Sequence, residues 1–240
     1  MNDLDDHSLF WRLHAGLPRQ APGSDATTEH LLEMAQPLPA QPDVLDVGCG
    51  PGRSVLVLAH ELPGARVMAV DTHQPFLDEL DAAAVAGGCA DRIVTLRAQM
   101  QHLPFDECSF DLVWSEGAVY VMGFATGLRA WRPLVRPAGL VVVTEATWFT
   151  DAPSARARSF WADAYPAMTD VTTNERIAAQ AGYQVIGTHR LADHANSTAT
   201  TVTSTATPGS CCDASTDRST VGLGPIRRGS SARAWSGRRR

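Results

Sequence analysis

Short, mainly apolar runs recur along the first four fifths of the chain. Between them lie stretches in which apolar residues return every three or four positions. The runs are Val44 to Val47, Arg66 to Asp71, Ile93 to Leu96, Phe110 to Trp114 and Leu140 to Thr144, and they predict strands buried on both faces. The longer period predicts helices at Thr27 to Ala35, Val55 to Leu62, Pro75 to Ala86, Gly123 to Val135, Ser154 to Tyr165 and Asn174 to Ala181. A sixth strand is expected at Gly182 to Gly187. Before them, Leu9, Phe10, Trp11 and Leu13 fit one helical face, which Gly16 to Ser24 interrupts. Strands alternating with helices predict an α/β fold, a doubly wound, mostly parallel sheet with helices on both faces.

The first strand runs into Gly48-Cys49-Gly50-Pro51-Gly52, and a helix follows. Small residues there let the backbone approach a ligand, and the amides at the helix start face it. The dinucleotide fingerprint places a third glycine three positions after the second. Counted from Gly50, that position is Arg53. The pattern is instead Asp-x-Gly-x-Gly-x-Gly from Asp46, which suits S-adenosylmethionine (SAM), a ligand with no pyrophosphate to cradle. Asp46 is a candidate partner for its ammonium group. Asp71 ends the second strand about 20 residues on, where an acidic residue holds ribose hydroxyls. A helix cap or a turn is the other reading of Asp71.

With these motifs the chain resembles class I SAM-dependent methyltransferases, from about Phe10 to Leu191. The resemblance also rests on Gly16-Leu17-Pro18-Arg19-Gln20, His73-Gln74-Pro75-Phe76-Leu77-Asp78, Leu103-Pro104-Phe105, Trp114-Ser115-Glu116-Gly117-Ala118, Phe160-Trp161 and Ala164-Tyr165-Pro166, and it points to a bacterial small-molecule subgroup. It implies a Rossmann-like sheet with a seventh, antiparallel strand. It also implies that Gly48, Cys49, Gly50 and Gly52 line the methionine part of SAM, that Asp71 binds ribose with Thr72 beside it, and that Gln99 and Met100 flank adenine. In the family the position of Gln99 is usually aspartate. Ser115 and Glu116 would face the methyl-transfer centre.

Methyl transfer from a sulfonium needs alignment first, and a base only when the acceptor must lose a proton. Glu116 and His14 are the candidate catalytic residues, with His73 and Glu145 as further bases. A cap or salt bridge remains open for Glu116, a surface position for His14, and cofactor packing for His73. Arg19, Gln20 and Tyr120 are the candidate acceptor contacts, although Arg19 and Gln20 also suit loop hydrogen bonding. Trp148, Phe160, Trp161 and Tyr165 could wall an apolar pocket or be plain core. No His, Cys, Asp or Glu spacing suggests a metal.

Composition narrows the partners. The net charge of -6 and pI near 5.7 speak against nucleic acid and against a polybasic membrane contact, and no apolar stretch is long enough to span a bilayer. All 20 basic residues are arginine, as a GC-rich gene would encode. Five scattered cysteines and an acidic N-terminus predict a cytoplasmic protein without a secretory signal. The expected partner is a small-molecule acceptor, with a homodimer left open. The expected domains are a helical lid over 1–42, a SAM-binding domain over 43–194, and a disordered or aberrant tail over 195–240. That tail is rich in Ser, Thr and Arg, carries a charge of +5 and lacks aliphatic periodicity, so the seventh strand is expected to be missing. A frame shift would produce such a tail, and a natural extension is the alternative. Two other readings are a SAM-binding remnant without turnover, suggested by Gln99 and the tail, and a nicotinamide oxidoreductase, disfavoured by Arg53.

Overall fold

A computed structural model describes residues 14, 16–191 and 199–206, the last segment as backbone. The first predicted helix and the tail beyond 206 lie outside the described residues. The strands are β1 (Asp43–Val47), β2 (Arg66–Asp71), β3 (Ile93–Arg97), β4 (Phe110–Ser115), β5 (Val135–Trp148), β6 (Thr169–Asp170), β7 (Tyr183–Arg190) and β8 (Ala199–Ala206). The helices are α1 (Asp25–Met34), α2 (Arg53–Glu61), α3 (Gln74–Ala86), α4 (Phe124–Trp131), α5 (Ala155–Ala164) and α6 (Val171–Gln180).

The strand order is β3-β2-β1-β4-β5-β8-β7, with β6 paired to the end of β5. Strands β1 to β5 are mutually parallel. This is the doubly wound, mostly parallel sheet that the apolar runs predict. One expectation is corrected. The seventh strand is not missing, because the backbone of Ala199–Ala206 runs antiparallel between β5 and β7. Its sequence, Ala-Thr-Thr-Val-Thr-Ser-Thr-Ala, has no aliphatic run. Threonine and valine nonetheless favour extended backbone through their branched Cβ.

Side chains alternate across the sheet. Val44, Leu112, Trp114 and Val142 pack against Leu31, Leu58, Leu77 and Leu80 of α1, α2 and α3. Leu45, Val47, Val113, Val141 and Val143 pack on the other face against Phe124, Leu128 and Trp131. Helix α4 stops at Trp131, short of the predicted Val135, and a tight 3-10 turn over Arg132–Leu134 follows. Pro133 explains this, since it lacks an N–H and restricts the residue before it. Ser24 caps α1 by accepting from the Thr27 amide, while Thr27 accepts back from the Ser24 amide. Among the described residues no helix is long and apolar enough to cross a membrane.

Candidate functional site

The carboxyl ends of β1, β2 and β4 meet at the glycine loop. Gly48 and Gly52 have φ of 76° and 84°. A Cβ at Gly48 would lie 2.4 Å from the Ala118 Cβ, and one at Gly52 would lie 2.3 Å from Leu80 Cδ1. Backbone conformation and space both demand glycine at these two positions. The amides of Gly48 and Cys49 donate to the Val70 carbonyl at 2.8 and 3.0 Å, splicing the loop onto β2. Asp71 completes the splice: Oδ2 accepts from the Gly50 amide at 2.9 Å and Oδ1 from the His73 amide at 2.9 Å. Cys49 is buried, and burial followed by the charges of Asp46 and Asp71 pushes its thiol pKa up.

Asp46 lies beneath the loop and is 1% exposed. Oδ2 accepts from the Ser54 hydroxyl at 2.7 Å, while Oδ1 has no partner among the described residues. Burial raises its pKa from 3.8 to about 7; Glu116 and Asp71 add to the rise, while the Ser54 bond opposes it. Between these values the unfolded chain has released this proton and the folded chain keeps it. Folding stability therefore falls as pH rises from about 4 to 7 and levels off above that, by up to about 4 kcal/mol for this group. Urea unfolding followed across that range is expected to show a flatter pH dependence in Asp46→Asn than in the wild type. Parallel curves would refute it.

At the end of β4 the Ser115 hydroxyl donates to the Val47 carbonyl at 2.9 Å, so Ser115 ties β4 to β1. Glu116 is 7% exposed and fully engaged. Its Oε2 accepts from Arg19 Nη1 at 2.5 Å, and its Oε1 accepts from the Thr28 hydroxyl at 2.8 Å and from Trp114 Nε1 at 3.0 Å. Burial raises its pKa and these three partners hold it back. Arg19 also donates to Asp25 and Thr28, and Asp25 in turn accepts from both Nε and Nη2 of Arg53. Arg53, the residue that breaks the dinucleotide pattern, thus anchors the first residue of α1 and, through the Asp25–Arg19 bond, the segment before it. In that segment His14 Nδ1 and Gln20 Oε1 are 2.5 Å apart, and Gln20 Nε2 donates to the His14 carbonyl at 2.7 Å. Gln20 Cγ comes within 3.5 Å of the Cβ position of Gly50.

The structure brings His14, Arg19, Gln20 and Glu116 together with the loop as one strap. Thr72 is exposed beyond Asp71, and its carbonyl accepts from Arg97 Nε at 3.1 Å. Gln99 is exposed after β3, and Met100 Cε comes within 3.5 Å of the Cβ position of Gly48. Tyr120 stands apart from the loop, half exposed, with its ring 6.1 Å from that of Tyr165. The partners Asp25, Thr28 and Ser54 were not singled out from the sequence. Ser54 alone left a signal, a hydroxyl in the first turn after the loop. A cavity of about 450 Å³ opens beside Trp148, Trp161, Tyr165 and Met168, and no glycine-loop residue lines it. Among the described residues no three His, Cys, Asp or Glu side chains are grouped to hold a metal.

Known proteins share parts of this sequence and its fold. Residues 44–139 match the family model described as a methyltransferase domain. The chain is 32% identical over 143 residues to the uncharacterized methyltransferase YodH of Bacillus subtilis, covering 60% of this chain and 57% of that protein. It is 33% identical over 128 residues to the dimethylglycine N-methyltransferase of Parasynechococcus marenigrum, covering 52% of this chain and 45% of that protein. The chain thus spans about half the length of these relatives. A SAM-dependent methyltransferase from Geobacter sulfurreducens, solved with S-adenosyl-L-homocysteine, superposes with a TM-score of 0.67 at 20% identity, over 76% of this chain and 73% of that one. Residues 44–139 therefore match a methyltransferase domain, on a fold that the SAM-dependent methyltransferase of Geobacter sulfurreducens shares.

Proposed function

We propose that this chain transfers the methyl group of SAM to a small-molecule acceptor. The observation that carries the reading is Asp71, whose carboxylate bridges the end of β2 and the Gly50 amide of the glycine loop. On this reading Asp71 holds the ribose hydroxyls with Thr72 beside it. Gly48, Cys49, Gly50 and Gly52 line the methionine part, and Gln99 and Met100 border the adenine. The free Oδ1 of Asp46 fits the ammonium group, since a buried carboxylate oxygen without a partner calls for a donor. Ser115 fixes the strand end beside the transferred methyl.

Glu116, with all its oxygens engaged, is read as a clamp and not as the base. It holds Arg19, and with Gln20 and His14 the strap covers the loop and excludes water. Residues 1–42 are read as this lid and 43–194 as the domain that it covers. The bound donor supplies an activated methyl, so alignment is the main task of the protein.

Calorimetry tests the reading directly. S-adenosylhomocysteine is expected to bind with a Kd of about 100 μM or lower, and NAD at least about 100-fold more weakly. Equal or tighter binding of NAD would favour the oxidoreductase. Binding of S-adenosylhomocysteine with no transfer to any of a broad set of metabolites would favour a remnant without turnover.

A further inference from the structure

The reading above leaves one buried acidic group unused, Glu145. It lies one residue past Thr144, whose hydroxyl accepts from the Gly117 amide at 2.6 Å, so it is level with the loop that leaves β4. By strand alternation it shares the face of Val141 and Val143, opposite the face of Thr144. It is 3% exposed, and neither carboxylate oxygen has a hydrogen-bond partner among the described residues. Its backbone is pinned: its carbonyl accepts from the Thr147 hydroxyl at 3.1 Å, which itself accepts from Asn174 Nδ2 at 3.1 Å. Burial raises the carboxyl pKa to about 7, while the Tyr165 hydroxyl and then the Ala146 amide, near enough to act on the carboxylate although neither closes a hydrogen bond of normal length and angle to it, oppose the rise. No other titratable group among the described residues is resolved as acting on it. Tyr165 meets Tyr120 edge to face, and Tyr120 reaches solvent.

A rigidly held, buried carboxylate with both oxygens unpartnered is costly, and the partner that removes the cost is a cation carrying N–H donors. The Tyr165 ring next to it, and the Tyr120 ring that meets Tyr165 edge to face, add faces that attract a cation. We propose that Glu145, Tyr120 and Tyr165 form the receiving site for an amine acceptor, and that the Glu145 carboxylate takes the proton which the amine must lose. This rests on the methyltransferase reading. The ammonium N–H bond breaks, the proton passes to Glu145, and nitrogen keeps the pair. That pair forms the new N–C bond to the transferred methyl, while the C–S pair stays on sulfur as a neutral thioether. The product leaves as a methylated ammonium ion, and Glu145 returns its proton to solvent.

The test uses the full chain with ¹³C-labelled glutamate carboxyls, the Glu145 resonance being identified by its absence in Glu145→Gln. Dimethylammonium chloride is expected to lower the apparent Glu145 pKa by about one unit or more, as an adjacent opposite charge does. Sodium chloride at equal ionic strength and 2-propanol, the neutral hydroxyl probe, are expected to leave it in place. A titration unmoved by the cation, or moved as far by salt or by 2-propanol, overturns the proposal. If Glu145→Gln does not fold, the resonance is assigned through Tyr165→Phe, which shifts it without removing it. Tyr120→Leu, at a half-exposed position, is expected to weaken the dimethylammonium effect about threefold or more. Binding of S-adenosylhomocysteine by the unaltered chain is read separately, so failure of the amine site and failure of the cofactor reading remain distinct.

Discussion

An Asp71→Ala chain is expected to lose at least about 100-fold in affinity for S-adenosylhomocysteine while remaining folded. Both Asp71 oxygens already accept one backbone amide, from Gly50 and from His73. A carboxylate oxygen has capacity for a second donor, so each can also accept a ribose hydroxyl. Hydrogen bonds to a charged group contribute about 1.5–3 kcal/mol each, and losing two costs about 3 kcal/mol or more. Truncation also frees the amides that splice the loop to β2, so part of the loss comes from a looser cradle. Asp71 is only half buried, and water can meet those amides, which keeps the cost to folding small. Asp71→Asn retains an acceptor oxygen and is expected to fall between the two, about 10-fold weaker than the wild type. Calorimetry on the three proteins, with circular dichroism as the check on folding, reads the series. Unchanged affinity in Asp71→Ala would remove the ribose assignment and the observation on which the proposed function rests.

The sheet core was legible because parallel strands covered on both faces are apolar along most of their length, as Leu140 to Val143 are, and as Val44 to Val47 are apart from Asp46. The glycine loop was legible because its backbone and its neighbours, Ala118 and Leu80, leave no room for side chains. Strand β8 was not legible, since Ala199–Ala206 takes its place through backbone pairing on both edges and carries none of the aliphatic pattern of a buried strand. The strap was half legible. Arg19, Gln20 and His14 could be named, but the bonds from Glu116 to Arg19 and Thr28 join residues 97 and 88 positions apart. Spacing carries no trace of such a pairing, so a candidate base and its clamping partners looked unrelated. Glu145 was expected at the end of the fifth strand, but that strand runs on to Trp148, and the surroundings of its carboxylate are a property of packing alone.

Val202→Pro is expected to produce the largest loss of stability, about 3 kcal/mol or more. Val202 pairs with Val143 of β5 on one side and with Thr188 of β7 on the other. Proline there removes one ladder N–H and sets its ring against the neighbouring strand, which a central position does not tolerate. The effect extends past one bond, because β8 is the strand that joins β7 to the sheet. Strand β7 starts with Tyr183, which is 3% exposed, packs in the cluster with Ala178, and donates to the Leu128 carbonyl at 2.9 Å. Loosening β8 therefore uncouples β7 and α6 from α4 while β1, β2 and β4 keep their own pairing. Against a typical total of about 5–15 kcal/mol, a loss of this size is severe. Val202→Thr keeps the amide and the branched Cβ and is expected to stay within about 1 kcal/mol of the wild type. Urea unfolding measures the difference, and hydrogen exchange at the β7 amides locates it. If Val202→Pro unfolds at the wild-type midpoint with β7 equally protected, residues 199–206 are not the strand between β5 and β7 in solution, and the sheet ends at β5.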